Sequence, residues 1–214
     1  VLLALGAGNI AATAADMTAR QVAVAVFKAP PGEKIDLTGK NLSELDLAGI
    51  DFRAAMMART DLYGSDLSGA NLEGTDLSGS KLDRAIMTKT NFKGANLEGV
   101  TILKPSIFST PDFNIAETPV FAGAHLKGAR IAARMDSVNF RGADLSEAAI
   151  GPFDMSVEGG LAPSSLMKGA DFTDANLQGV DIRNVDFTFG RFTRANLKGA
   201  KLTSLNLTNA DFSG

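Results

Sequence analysis

The sequence predicts an all-β fold, a solenoid in which the chain winds around a square. Three observations predict it. From Leu37 to Ile102 an apolar residue stands at every fifth position without a miss, and the same spacing returns from Met167 to Phe212. Within a unit a small residue, then Asp or Asn, then the large apolar residue alternate in polarity, as along an extended segment. Bulky residues also recur four units apart: Phe172, Phe192 and Phe212 form one such set, and Phe52, Leu72 and Phe92 another.

A period of five fits neither a helix nor a plain strand. The large apolar residue is the centre of its unit, and from Ala55 to Ala95 the residue two places before each centre is always Ala, Ser or Thr. Alternation puts that small residue and the centre on one side of the chain and the Asp or Asn on the other. The remaining two residues, rich in Gly, Ser, Asp and Arg, must turn the chain. Four short edges with corners close a square and bring residues twenty apart into register. Coils stacked about 4.8 Å apart then satisfy the backbone as a parallel ladder around a rod of Leu and Phe. The Asp or Asn before each centre is expected to bond the amides of its own corner.

Segments such as Ala70-Asn71-Leu72-Glu73-Gly74, Ala95-Asn96-Leu97-Glu98-Gly99 and Ala195-Asn196-Leu197-Lys198-Gly199 closely resemble the pentapeptide-repeat family. The resemblance covers most of residues 35–214. It implies a right-handed quadrilateral parallel β-helix, and no single function, because members share a scaffold and act through different surfaces. Some members mimic duplex DNA and protect DNA gyrase from quinolones. Such members dimerise through a C-terminal segment and carry a strongly acidic surface.

The preceding segments differ. Val1-Leu2-Leu3-Ala4-Leu5 and the small residues Ala12 to Ala15 make residues 1–15 the expected remnant of a secretory signal peptide. Its apolar run falls short of the roughly 20 residues that a membrane span needs. Residues 16–34 form an expected N-terminal cap: Thr18 can cap a helix that Pro30-Pro31 must end, although alternating Val22, Val24 and Val26 suit a strand. Helix is the preferred form. Inward positions near this end are enlarged at Ile35, Leu45 and Ile50, as for closing against an apolar cover, while Lys40 at one of them does not fit the scheme. At the other end the pattern is still in phase at Phe212, so the rod is expected to continue or to pair with another copy as a homodimer through the C-terminal coil.

Two interruptions break the rhythm, at about 104–119 and 151–165, with Pro105, Pro111, Pro119, Pro152 and Pro163 among them. Between them Phe121, Leu126 and Ile131, then Phe140, Leu145 and Ile150, restore it in two shifted phases. The nine-residue step from Ile131 to Phe140 implies a one-residue deletion. Insertions in a solenoid are accommodated outward, so these segments are candidate partner-binding loops, with Ile107, Phe108, Asp112, Phe113, Phe153 and Glu158 as contacts. The competing expectation is that their aromatics fold back and seal the rod.

Chemistry is scarce. There is no Cys, and His125 is the single histidine, so one chain assembles neither a thiolate site nor a multi-histidine site. The Gly-rich stretches lack the strand and helix of a phosphate-binding loop. No cofactor or metal is expected. A net charge of -3 from 21 basic and 24 acidic residues gives no basis for direct nucleic-acid binding. The expected function is a non-enzymatic scaffold or binding module for an unidentified protein partner in an exported compartment, periplasmic or equivalent. The alternative is a DNA-mimicking protector of DNA gyrase acting in the cytoplasm.

Overall fold

The structure, a computed structural model, describes residues 14–30, 32–109, 114–152 and 165–214. The chain winds into a quadrilateral parallel β-helix with four faces. The first face carries Leu37, Met57, Leu77 and Leu97, the second Leu42, Leu62, Leu82 and Ile102, the third Leu47, Leu67, Met87 and Ile107, and the fourth Phe52, Leu72 and Phe92, all buried. Neighbouring coils are joined by parallel bridges at the residue before each centre, as in Asn41 with Asp61 and Asp61 with Lys81. On the second face these lengthen into a five-stranded parallel sheet of Thr101–Leu103, Arg130–Ala132, Ala149–Ile150, Asp181–Arg183 and Lys201–Thr203. The N–H of each centre donates to the coil above: Leu62 to the Lys81 carbonyl at 2.9 Å and Leu72 to that of Asn91 at 2.8 Å.

Each place in the repeat has a physical reason. Burying a centre removes a whole aliphatic or aromatic side chain from water, about 1.5–3 kcal/mol each. The residue two places earlier is buried beside it and must be small. Where it is Ser or Thr, its hydroxyl donates to buried carbonyls, as Thr60 does to Met57 at 2.7 Å and Leu37 at 3.0 Å, and Ser65 to Leu42 at 2.9 Å. No buried side-chain polar atom among the described residues lacks a partner. The Asp or Asn before the centre accepts from the amide two places on, as Asp66 from Ser68 at 2.8 Å and Asp76 from Ser78 at 3.0 Å. That is the expected corner bonding. The corner residue itself has positive φ, which suits Gly64 at 65° but is also imposed on Arg84 at 58° and Phe189 at 60°.

The two sets of bulky residues seen in the sequence belong to one column on the fourth face. Above Phe92, rings stack in order through Phe121, Phe140, Phe172, Phe192 and Phe212, with centroids 4.8, 5.1, 5.0, 5.1 and 4.8 Å apart and planes within 14°. The interruptions therefore shift the numbering and leave the column unbroken.

Two centres were hidden in the sequence. Ile107 was expected in a projecting loop, yet it is only 2% exposed and lies in the core one coil above Met87. It continues the first run by one more unit, so it cannot be a surface contact. Met135 is also fully buried and stands on the third face, where its N–H donates to the Leu166 carbonyl. The one-residue deletion thus falls between Ile131 and Met135. Among the described residues the third-face ladder breaks there, between Ser106 and Arg134.

At the N-terminal end a helix, α1 (Ala19–Phe27), closes the first coil. Thr18 accepts from the Gln21 amide at 3.2 Å, and the Gln21 side chain accepts from the Thr18 amide at 2.7 Å, a reciprocal cap that selects helix over strand. Val22 is fully buried in the core, with Ala19 and Val26 packed against it from the same stripe. Ile35, Leu45 and Ile50 are half-buried against this end. Lys40 keeps its place in the backbone ladder while its side chain is exposed, because no coil lies beneath it. On the last described coil Leu202, Leu207 and Phe212 are exposed.

Candidate interaction surface

Both interruptions border the third face. The first lies between Ile107, a third-face centre, and Phe121 on the fourth face. The second lies between Ile150 on the second face and Met167 on the third. The shortened corner before Met135 opens on the same face, and so does the gap in its ladder. Insertion, deletion and broken ladder thus converge on one strip of an otherwise regular surface.

The first insertion is closed at its base. Glu117 accepts from the Ser109 amide at 2.9 Å and from its hydroxyl at 2.8 Å. The Ser109 amide, then its hydroxyl, hold the Glu117 carboxyl below the usual carboxylate range. The Lys89 amide donates to the Glu117 carbonyl at 2.6 Å, which ties the loop to the coil beneath. Just before this staple, Asn114 caps a 3-10 turn, Ile115–Glu117, on which Ile115 is 63% exposed. A pocket of about 480 Å³ opens beneath, lined by Asp66, Ile86, Thr88, Lys89, Ser109 and Glu117 among others.

Further along the face, Phe108 is half-buried against the core and the Arg134 guanidinium lies 5.4 Å above its ring. Arg134 Nε also donates to Asp136 at 2.8 Å, and Asp136, itself buried, accepts from the Lys168 amide at 2.9 Å. Lys168 reaches Asp186 at 3.5 Å. The strip carries apolar side chains beside ion-paired charges of both signs.

Of the six residues expected from the sequence, Ile107 is core and Phe108 serves partly as a seal. Asp112, Phe113, Phe153 and Glu158 lie outside the described residues, as does nearly all of the segment read as a leader. Ile115, Arg134 and Lys168 were missed. Nothing short of closing the square and counting coils would have grouped them. His125 is exposed on the first face, between Asn96 and Asp144 in register. No cluster of His, Asp or Glu among the described residues could hold a metal ion. No helix among them is long and apolar enough to cross a membrane.

A search among curated proteins finds no match of significance. Solved structures with a similar fold include a pentapeptide repeat protein from the Arabidopsis thaliana thylakoid lumen, with 23% identity, covering 57% of this chain and 76% of that one at a TM-score of 0.32. HetL, a pentapeptide repeat protein involved in heterocyst differentiation regulation in the cyanobacterium Nostoc sp. strain PCC 7120, has 22% identity over 89% of this chain and 93% of its own, at 0.27. A trypsin-treated variant of QnrB1, a plasmid-mediated fluoroquinolone resistance protein, has 15% identity over 84% of each chain, at 0.39. The family profile described as pentapeptide repeats matches in 8 copies, over residues 35–74, 65–102, 164–188 and 189–214. These segments make up more than half of the sequence, and the chain belongs to the pentapeptide-repeat family.

Proposed function

We propose that the protein is a non-enzymatic scaffold that binds a protein partner through its third face and the two loops bordering it. The observation that carries this reading is the convergence of both insertions on one face. The first stands at the corner where the third face meets the fourth, the second at the corner where it meets the second, so together they flank this one face. Support for a scaffold in place of an enzyme comes from the interior, filled along the rod by stacked centres, whereas acid–base chemistry needs a sheltered concavity with groups of shifted pKa. Export of the protein is part of the proposal. It is supported by Asp16, whose amide donates to the Asn41 carbonyl at 2.8 Å and whose carboxylate accepts from the Asn41 amide at 2.7 Å, so the chain joins the rod where a leader would end.

The test is affinity capture from extracts of the source cell, with N-terminal sequencing of the native protein to fix its compartment. Ile115→Glu and Arg134→Glu should each release a partner that Ser78→Glu, on the first face, retains. Equal loss from Ser78→Glu would overturn the assignment of the face. Protection of gyrase supercoiling against a quinolone, unaffected by third-face changes, would replace the proposal with the gyrase reading.

A further inference from the structure

A second apolar surface lies at the opposite end of the rod from the last coil and shares no residue with the third-face strip. Helix α1 buries one stripe against the first coil and leaves another outside: Val24 is exposed and Phe27 is 90% exposed. Between that outer stripe and the fourth-face edge of the first coil, from Gly49 to Ala54, runs a groove of about 810 Å³. Ala23, Val24, Val26, Phe27, Ile50 and Ala54 supply its apolar lining. Arg20, Lys28, Arg53 and Asp51 supply the charge.

The charge is lopsided. Arg53 is neutralised by Asp51, with contacts of 2.6 and 2.9 Å. Arg20 and Lys28 form no ion pair among the described residues and stand eight positions apart along the same outer stripe as Val24. A nearly bare phenyl beside a concave apolar wall, flanked by two unneutralised cations, is the arrangement of an anchor site for a complementary segment.

We infer that this groove docks a short amphipathic helix from a partner protein, with aliphatic side chains facing Phe27 and Ile50 and carboxylates meeting Arg20 and Lys28. Charge complementarity selects the acidic class. Concavity selects a segment with projecting side chains over a flat anionic membrane, which would touch Phe27 and leave the floor at Ile50 and Ala54 unfilled.

The 214-residue sequence contains no Trp, so Phe27→Trp places a single indole reporter on the groove at a position exposed enough to leave folding unchanged. The probe is a synthetic helical peptide of about fifteen residues with Leu at i, i+3 and i+4 and Glu at the remaining exposed positions. In the free protein the reporter should emit as a water-exposed indole. Adding the peptide should shift emission to the blue with micromolar affinity, and affinity should fall with rising salt. Fluorescence anisotropy with a labelled copy of the same peptide should show about tenfold or greater weakening in Phe27→Ser and in Arg20→Glu/Lys28→Glu. The version with Lys replacing Glu should bind the unaltered protein poorly.

Four results would overturn the inference. A reporter already buried in the free monomer would mean that the chain's own residues fill the groove. Burial that depends on protein concentration would assign it to a second copy. Binding to phosphatidylglycerol vesicles without binding to the acidic peptide would assign it to a membrane surface. Equal affinity for the Lys and Glu peptides would remove the electrostatic basis.

Discussion

Phe140→Ala tests the ring column at its middle. The Phe140 side chain is fully buried, between rings 5.1 Å away at Phe121 and 5.0 Å away at Phe172. Removing a buried phenyl costs about 3–5 kcal/mol, more when the surroundings cannot collapse. Here the rings above and below are fixed to their own coils by backbone ladders, as in the Phe121 amide donating to the Asn139 carbonyl at 2.9 Å, so the void stays open. A loss of about 4–5 kcal/mol is expected. Phe212 stands in the same column but is 45% exposed and stacks on one side only, against Phe192. Phe212→Ala should therefore cost about 1 kcal/mol, since about half its surface never left water. Phe140→Leu copies the arrangement natural at Leu72 and should cost no more than about 1.5 kcal/mol. The assay is guanidinium unfolding followed by far-UV circular dichroism, with the three slopes compared so that midpoints report stability. If Phe140→Ala lost no more than Phe212→Ala, the column could not be the stabilising core described here.

Other expected outcomes follow from particular residues. Phe189→Gly should raise stability by about 1 kcal/mol in thermal melts, because the corner holds an exposed aromatic at a φ of 60° that glycine adopts freely. Thr18→Ala should cost about 0.5–2 kcal/mol and speed amide exchange in α1. Burial pushes the Asp171 carboxyl up, but hydrogen bonds from Thr173 and the guanidinium groups of Arg191 and Arg141 outweigh it and hold its pKa below the usual range. A carboxyl depressed in the folded state contributes fully above its unfolded pKa of about 3.9 and loses that contribution as pH falls through the folded value. Denaturant midpoints should therefore drop with acid below about pH 4, and Asp171→Asn should be less stable at pH 7 with a shallower acid decline.

Much of the rod was legible because its determinants are local. The five-residue spacing, the small inward partner, the corner Asp or Asn and the cap at Thr18 each express geometry within a few residues. Ile107 was obscured by Pro105 and Phe108, whose composition suggests a loop although the centre between them is in phase. Met135 was obscured because a four-residue step erases the periodicity that marks a centre. The placement of Ile115, Arg134 and Lys168 on one strip depends on which corner each insertion occupies, and that is fixed only by closing every coil. The single ring column was split in the sequence for the same reason: a register held in three dimensions survives insertions that destroy it along the chain.

Stacked coils make the rod a ruler. Each turn advances the backbone by about 4.8 Å, and the continuous ring column shows that inserted residues leave this pitch unchanged. The axial distance between the insertion after Ile107 and the one before Met167 is therefore set by the number of turns between them, and not by the inserted residues. Duplicating one twenty-residue turn between them would move one insertion away from the other by a single graduation. A partner that spans both would sense the change as a mismatch in length alone.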